Sequence, residues 1–263
     1  MDFSLYFIAG AVAGLLSGLF GVGGGLIIVP ILTIVFGTMA FPQAHIMHMA
    51  LGTSLATIIF TSIASARAHH REANVDWSVV RRISLGIVIG TFLGTHIANH
   101  LATGPLKIIF SVFVFVIATQ MWLDFRPNPA RSLPGLPGMN TAGTIIGIVS
   151  SLVGIGGGSL SVPFMIYCNV AVKRAIGTSA AIGLPIAVSG ALGFMLAGRD
   201  VMELPQYSLG YVYLPALVGI AVVSTMTAPL GARIARRIPA TALKRAFAAL
   251  LYLIGCKMLL EML

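Results

Sequence analysis

Long apolar stretches, separated by short polar clusters, run through the whole chain. Three of them contain no Lys, Arg, Asp or Glu: Phe3 to Ala66, Ser132 to Val172 and Leu204 to Ala232. About 20 apolar residues are enough for a helix to cross ~30 Å of hydrocarbon, so these stretches predict several membrane crossings. In each half we expect one long stretch broken by glycines, followed by three continuous helices. The broken stretches are 4–37 and 140–168, and the helices are 44–66, 78–98, 106–123, 175–197, 207–230 and 243–262.

The sequence of the first half recurs in the second. Gly21-Val22-Gly23-Gly24-Gly25 returns as Gly154-Ile155-Gly156-Gly157-Gly158 at an offset of 133 residues, and Pro30 and Pro163 keep that offset. The pentapeptide 50–54 returns as 175–179 at an offset of 125, and 94–98 matches 231–235 at an offset of 137. A repeat of this length predicts a duplicated unit that covers nearly the whole chain.

A segment rich in proline and glycine separates the two copies. Residues 125–139 contain four prolines and two glycines, a composition that does not continue a helix. We therefore predict a first transmembrane repeat over 1–124, a linker over 125–139 and a second transmembrane repeat over 140–263.

Basic residues switch sides between the two repeats. The loop after the first full helix carries Arg67, Arg71, Arg81 and Arg82, which the positive-inside rule places in the cytoplasm. The equivalent loop of the second half, 198–206, carries one arginine against two acidic residues, whereas the loop that follows it is strongly basic. The fold class expected is therefore an all-α polytopic membrane protein made of two inverted repeats.

Inversion predicts that each glycine-broken stretch enters and leaves the membrane on one side. Each repeat would then be a re-entrant helical hairpin followed by three transmembrane helices, with both termini in the periplasm. The alternative is that each broken stretch is one discontinuous span, which gives eight crossings and parallel repeats. That alternative leaves the charge switch unexplained.

Composition agrees with a multi-pass protein of the cell inner membrane. Of 263 residues, 57% are hydrophobic and 9% are charged, and the mean hydropathy is +0.98, values that exclude a soluble domain. The net charge of +9 lies in loops beside apolar segments, which favours contact with membrane lipid over nucleic acid. Cys168 and Cys256 are far apart, so no metal site or cofactor is expected, and a homodimer is one possible assembly.

The glycine pentapeptides predict helix breaks inside the membrane. Each glycine costs roughly 1 kcal/mol in a helix relative to alanine, and free backbone N–H groups at membrane depth need a polar partner. The helix that begins after each break directs its N–H groups towards the break, which favours an anion. The alternative is close helix packing by small residues. The candidate substrate-binding residues at the breaks are Gly21, Gly23, Gly24, Gly25, Gly154, Gly156, Gly157, Gly158 and Ser159.

Two Gly-Thr-Ser motifs supply hydroxyl groups at the starts of apolar helices. These hydroxyls can donate to a bound oxyanion or cap the helix, and the sequence leaves both roles open. The candidate residues are Gly52, Thr53, Ser54, Gly177, Thr178 and Ser179. His45 and His48 precede the first motif and can titrate near neutral pH, so they are candidates for proton coupling, although an interfacial loop also explains them.

The motifs exclude several other functions. The glycine pentapeptides lack the Lys-Ser/Thr of a P-loop and the spacing of a dinucleotide-binding turn. No Ser-His pair, His-Glu metal motif or paired acid lies in an apolar segment, so we expect a protein that is not an enzyme. A secondary transporter with a midplane anion site fits best, and a passive anion channel with the same lining remains the alternative.

At these duplicated motifs the sequence resembles the TauE/SafE sulfite exporter family, also called the toluene-sulfonate uptake permeases. The resemblance covers nearly the whole chain. It implies an inner-membrane permease for sulfite, organosulfonates or related sulfur-containing or carboxylate anions, often working outward and driven by an ion gradient. The physical argument favours an anion but does not by itself indicate sulfur.

Overall fold

The computed structural model describes residues 3–20, 24–39, 41–123, 131–235 and 238–260, and these are almost entirely helical. The elements in chain order are α1 (Phe3–Phe20), α2 (Gly25–Thr38), α3 (Ile46–Arg71), α4 (Trp77–Asn99), α5 (Thr103–Trp122), α6 (Leu136–Val153), α7 (Gly158–Tyr167), α8 (Val172–Ala197), β1 (Ser208–Leu209), β2 (Val212–Tyr213), α9 (Leu214–Ala235) and α10 (Ala240–Leu260).

The all-α prediction is confirmed, but several helix boundaries differ from the predicted ones. Helix α3, predicted over 44–66, continues to Arg71, so Arg67 and Arg71 lie in the helix and not in the loop after it. Helix α9, predicted over 207–230, begins at Leu214, because β1 and β2 before it pair as a short antiparallel hairpin. The end of the predicted linker 125–139 belongs to α6, which begins at Leu136. Pro137 lies in the first turn of α6, where a missing N–H costs no hydrogen bond. Residues 125–130 of the linker lie outside the described residues.

Six helices in the described part of the chain are long and apolar enough to cross a membrane. They are α3, α4, α5, α6, α8 and the first 18 residues of α9. The sequence also predicts six full spans, but with 243–262 in the place of α6. The corresponding helix, α10, carries Lys244, Arg245 and Lys257 and is not among the six. Length and composition alone therefore support a multi-pass membrane protein.

Helices α6 and α7 form a hairpin around the second glycine pentapeptide. Helix α6 ends at Val153 and is capped by Gly154, whose φ of +72° suits glycine, and α7 begins after Gly157, which has φ of +77°. The N–H of Arg131, five residues before α6, donates to the carbonyl of Tyr167, the last residue of α7, at 3.4 Å. The end of α7 therefore lies beside the segment that precedes α6.

Helices α1 and α2 have the same relation to each other. The hydroxyl of Tyr6, near the start of α1, donates to the sulfur of Met39 at the end of α2 at 2.7 Å. Helix α2 begins after Gly24, which has φ of +73°. Residues 21–23, between the two helices, lie outside the described residues.

Each hairpin packs against a helix of the other repeat. Gly143 and Gly147 of α6 bring its backbone against Ile83 and Ile87 of α4. In the same way, Gly10 and Gly14 of α1 lie against Ile220 and Ser224 of α9. Because α9 corresponds to α4 at the offset of 137 residues, the two packing interfaces are counterparts of each other.

Contacts of the loops before α4 and α9 show the orientation of the two repeats relative to each other. A Cβ on Gly177, near the start of α8, would lie 2.4 Å from the carbonyl oxygen of Asn74 in the loop between α3 and α4. A Cβ on Gly52, near the start of α3, would lie 2.9 Å from the carbonyl oxygen of Tyr211 before α9. Helix α8 thus starts on the side where α3 ends. These contacts favour inverted repeats over parallel ones.

Asp76 is the N-cap of α4 and gives a pH-dependent contribution to stability. Its carboxylate accepts hydrogen bonds from the Ser78 hydroxyl at 2.7 Å and from the N–H groups of Ser78 and Val79 at 3.0 and 3.4 Å. The Ser78 hydroxyl is the largest cause that lowers the pKa of the Asp76 carboxyl, and the N–H groups and Arg174 add to it.

We expect Asp76→Ala to lower the free energy of unfolding by about 1 kcal/mol near neutral pH. A lowered pKa means that the stabilisation is complete above the unfolded value of about 3.9 and is lost as the pH falls through the folded value. The gap in melting temperature between wild type and variant should therefore close on acidification in detergent. Asp76→Asn is the control, because it keeps a capping side chain that does not titrate. A gap between wild type and Asp76→Ala that has the same size at all pH values would contradict this account.

Candidate functional site

The two glycine breaks meet in the middle of the structure. A Cβ on Gly25 would lie 2.5 Å from the carbonyl oxygen of Gly154 and 2.9 Å from the Cα of Ile155, so the two backbones are in direct contact. The same Gly154 carbonyl accepts a hydrogen bond from the Ser54 hydroxyl at 2.9 Å. The structure therefore brings Gly25, Ser54 and Gly154 together. Of the other predicted residues of the first break, Gly24 is buried, and Gly21 and Gly23 lie outside the described residues.

The threonines of the two Gly-Thr-Ser motifs hold equivalent loops of the opposite repeat. The Thr53 hydroxyl accepts the N–H of Tyr213 at 3.0 Å, and the Thr178 hydroxyl accepts the N–H of Asp76 at 2.9 Å. Thr53 and Thr178 are counterparts at the offset of 125, as are Asp76 and Tyr213 at 137. Both threonines are fully buried. A hydroxyl that accepts one hydrogen bond still has its own proton to donate.

The glycines of these motifs allow close packing at the same two places. Gly52 and Gly177 lie against the carbonyl oxygens of Tyr211 and Asn74, where a side chain would collide with backbone. Close packing by small residues is the alternative that the sequence left open for the glycine pentapeptides. It accounts for both positions here.

The beginning of α7 is polar and has free space beside it. A Cβ on Gly158 would have only the Ser179 hydroxyl within 4 Å, at 3.8 Å. That hydroxyl lies 2.8 Å from the hydroxyl of Ser161, one turn into α7. The Ser159 hydroxyl is buried and has no hydrogen-bond partner. The Ser161 hydroxyl also donates to the Gly157 carbonyl at 2.8 Å. The hydroxyls of Ser159 and Ser179 and the first N–H groups of α7 are therefore the donors available at this helix N-terminus.

The beginning of α2 differs from its counterpart. Where α7 has Ser159 and Ser161, α2 has Leu26 and Ile28, which are 1% and 2% exposed. Gly25 is sealed against the backbone of residues 154–155, whereas Gly158 is half-buried. The two breaks are therefore alike in backbone and unlike in chemistry.

Ser62 is a polar neighbour of this region that the sequence motifs did not indicate. A Cβ on Gly183 of α8 would lie 2.7 Å from the Ser62 hydroxyl and 2.9 Å from the carbonyl oxygen of Gly156. Ser62 follows Ser54 by eight residues, about two helical turns, and so lies on the same face of α3. That spacing was the signal that could have identified it. Gly156 itself packs on Ile58, and Gly157 packs on Ile186.

The two candidate histidines lie at the start of α3, beside the loop before α9. His48 is 3% exposed, its Nε2 lies 3.0 Å from the carbonyl oxygen of Ala98, and its ring stacks on Tyr211 at 4.9 Å. The Nδ1 of His45 is 3.5 Å from the Tyr211 hydroxyl, which also donates to the side chain of Asn99 at 3.3 Å. Tyr211 links these elements, and no sequence motif pointed to it.

The described residues contain no group of three or more His, Cys, Asp or Glu that could hold a metal ion. The chemistry available at the meeting point of the hairpins is hydrogen-bond donation from hydroxyl and backbone N–H groups. Such a set of donors suits an oxyanion.

The whole-chain comparison decides the family. Residues 6–258 match the family model described as sulfite exporter TauE/SafE. The chain belongs to the TauE/SafE sulfite exporter family. The resemblance seen in the duplicated glycine and Gly-Thr-Ser motifs is thereby confirmed.

Curated members similar to this TauE/SafE protein are named as transporters. A probable membrane transporter protein of Haemophilus influenzae is 39% identical over 259 residues, which cover 98% of both chains. A probable membrane transporter protein of Methanocaldococcus jannaschii is 29% identical over 258 residues, which cover 97% of this chain and 95% of the relative. No solved structure matches the chain. The TauE/SafE protein is thus a multi-pass membrane transporter and not an enzyme.

Proposed function

We propose that this TauE/SafE protein is a secondary transporter that exports a small sulfur-containing oxyanion, sulfite or an organosulfonate, across the cell inner membrane. Family membership supports the substrate class. The names of the similar relatives state transport and no substrate. The positive-inside rule supports the orientation, with the end of α3 that carries Arg67 and Arg71 in the cytoplasm.

The single observation that carries an anion site is the polar beginning of α7. Its first turn has free N–H groups at the positive end of the helix dipole, space beside Gly158 and three nearby hydroxyls. The hydroxyls belong to Ser159, Ser161 and Ser179. An anion held by neutral donors is stabilised without a fixed opposite charge, which allows it to be released again.

Alternating access is the mechanism that the pseudo-symmetric contacts support. Inverted repeats reach two equivalent conformations by exchanging the packing of one half for that of the other. The Thr53–Tyr213 and Thr178–Asp76 hydrogen bonds join the two repeats at equivalent points. The hairpin tips, Gly25 and Gly154, meet between these points. The rocking of the repeats would thus occur around the proposed site, with His45 and His48 as the candidates for proton coupling.

We expect Ser159→Ala and Ser179→Ala each to reduce the rate of sulfite transport at low substrate concentration about tenfold or more. A hydrogen bond to a charged group contributes about 1.5–3 kcal/mol, and each variant removes one. The measurement is uptake of labelled sulfite, an alkyl sulfonate and acetate into proteoliposomes under imposed pH gradients. Ser111→Ala is the matched control, because Ser111 is a buried serine of α5 outside the site.

Several outcomes of this experiment would overturn the proposal. Flux that rises linearly with concentration and does not exchange with substrate inside the vesicle would indicate a passive channel. Transport of acetate alone would indicate a carboxylate permease. Equal rates for wild type and both site variants would place the site elsewhere in the protein.

A further inference from the structure

The second halves of α3 and α8 are packed differently. Three residues of α3, Ala64, Ser65 and Ala68, are exposed. Their counterparts in α8 at the offset of 125, Ser189, Gly190 and Gly193, are all buried. The remaining exposed face is similar in the two helices, since residues 67 and 71 of α3 and residues 192 and 196 of α8 are all exposed. In the second half of the two helices, these three are the positions at which an exposed residue of α3 corresponds to a buried residue of α8.

The face of α8 that carries these three residues is covered by α4. A Cβ on Gly190 would lie 3.3 Å from the side chain of Thr91, and one on Gly193 would lie 2.3 Å from the Thr95 hydroxyl. Both threonines are buried. In the other repeat, α9 corresponds to α4, and its Ala228, the counterpart of Thr91, is only half-buried. The second half of α3 therefore lacks the cover that α8 receives.

The chemistry of the uncovered face favours water over lipid. The helix faces that are exposed elsewhere in the protein carry large apolar side chains, such as Leu85, which is 62% exposed, and Val116, which is 59% exposed. The uncovered residues of α3 are instead small, namely Ala64, Ser65 and Ala68, and the large apolar side chain beside them is Phe60, one turn earlier, which is 51% exposed. A hydroxyl in hydrocarbon loses its hydrogen bonds to water, which costs free energy.

The face leads from a basic surface to the centre of the protein. Arg67 and Arg71, at the end of α3, are exposed. Ser62, one turn before the uncovered residues, lies beside Gly183 and the carbonyl oxygen of Gly156, at the break of the second hairpin. Positive charge at the mouth of a path raises the local concentration of anions.

We propose that the second half of α3 lines an aqueous vestibule that connects the cytoplasm with the anion site at the beginning of α7. The vestibule passes Ala68, Ser65 and Ala64 and ends at Ser62. On the opposite side of the membrane, the packing of α8 on α4 and the stacking of His48 on Tyr211 close the equivalent path. The structure thus represents the state open to the cytoplasm. This inference rests on the proposed function and specifies the route by which the anion enters.

Cysteine accessibility tests the vestibule directly. In a background with Cys168→Ala and Cys256→Ala, the variants Ser65→Cys and Ala68→Cys are treated with a charged, membrane-impermeant methanethiosulfonate. Only the thiolate reacts, so a thiol in lipid reacts slowly. Ser189→Cys is the matched control for a buried counterpart, and Val116→Cys is the control for a lipid-facing residue. The melting temperature of each variant shows that it is folded.

We expect Ser65→Cys and Ala68→Cys to react at least about tenfold faster than both controls when the reagent is added to inside-out membrane vesicles. Equal rates for Ser65→Cys, Ala68→Cys and Val116→Cys would show a lipid-facing surface and overturn the vestibule. Faster reaction in right-side-out vesicles would overturn its cytoplasmic side. Labelling needs no substrate, so a protein that labels as expected but does not move sulfite contradicts the proposed substrate and not the vestibule.

Discussion

Gly25→Ala is expected to abolish transport and to lower the free energy of unfolding by about 3 kcal/mol, the upper end of the usual cost of overpacking. The new Cβ would lie 2.5 Å from the carbonyl oxygen of Gly154 and 2.9 Å from the Cα of Ile155. Both neighbours are backbone atoms of the opposite hairpin, which no side-chain rotation can move away. The two hairpin tips must separate, and the Ser54 hydrogen bond to Gly154 is strained with them.

The same helix supplies the control for this prediction. Gly37 lies near the end of α2, and a Cβ there meets nothing within 4 Å. Gly37→Ala should therefore leave transport unchanged and raise stability by up to about 1 kcal/mol, the gain expected for a helical glycine. Melting temperature in detergent and initial transport rate in proteoliposomes measure both effects. Near-normal values for Gly25→Ala would show that the hairpin tips do not pack against each other.

Thr53→Val is expected to lower the free energy of unfolding by about 1–3 kcal/mol, because it leaves the buried N–H of Tyr213 without an acceptor. Valine has nearly the shape of threonine, so the effect isolates the hydrogen bond. We expect the transport rate to fall as well, since this bond joins the two repeats. Thr178→Val removes the equivalent bond to Asp76 and should act in the same direction.

Serine substitutions keep the hydroxyl and test whether it is the group that matters. Thr53→Ser and Thr178→Ser should remain within about 1 kcal/mol of wild type, because they lose one methyl group and keep the acceptor. Thermal melting and transport are measured for all four variants. If Thr53→Val and Thr53→Ser are equally destabilised, packing of the methyl group explains the result, and the hydrogen bond between the repeats is not important.

These predictions concern groups whose roles the sequence could only partly indicate. Apolar length and charge distribution were sufficient to predict the long helices α3, α4, α5 and α8 and the position of each break. Both are local properties: a helix needs a sufficient run of apolar residues, and consecutive glycines end it by adopting positive φ, as Gly154 and Gly157 do. The short β-hairpin before α9 was missed, because its two-residue strands carry no periodic signal.

The sequence predicted the motifs of the candidate site but not the contacts that each motif makes. Repetition in the sequence identified the glycine pentapeptides and the Gly-Thr-Ser motifs as equivalent. It could not show that Thr53 and Thr178 hold loops of the opposite repeat, since those partners are 160 and 102 residues away. Tyr211 and Ser62 were missed for the same reason: each belongs to the site region through contacts with distant segments.

The sequence by itself determined that this protein lies in a membrane, that it is duplicated and that each copy begins with a broken helix. These features follow from apolar length and from backbone freedom at glycine, which depend on neighbours along the chain. Only the tertiary structure decided that Gly25 is sealed against Gly154 while Gly158 stays open, and that one face of α3 is uncovered while its counterpart in α8 is packed. Equivalent sequences acquire different surroundings because packing depends on which distant helix lies against each of them.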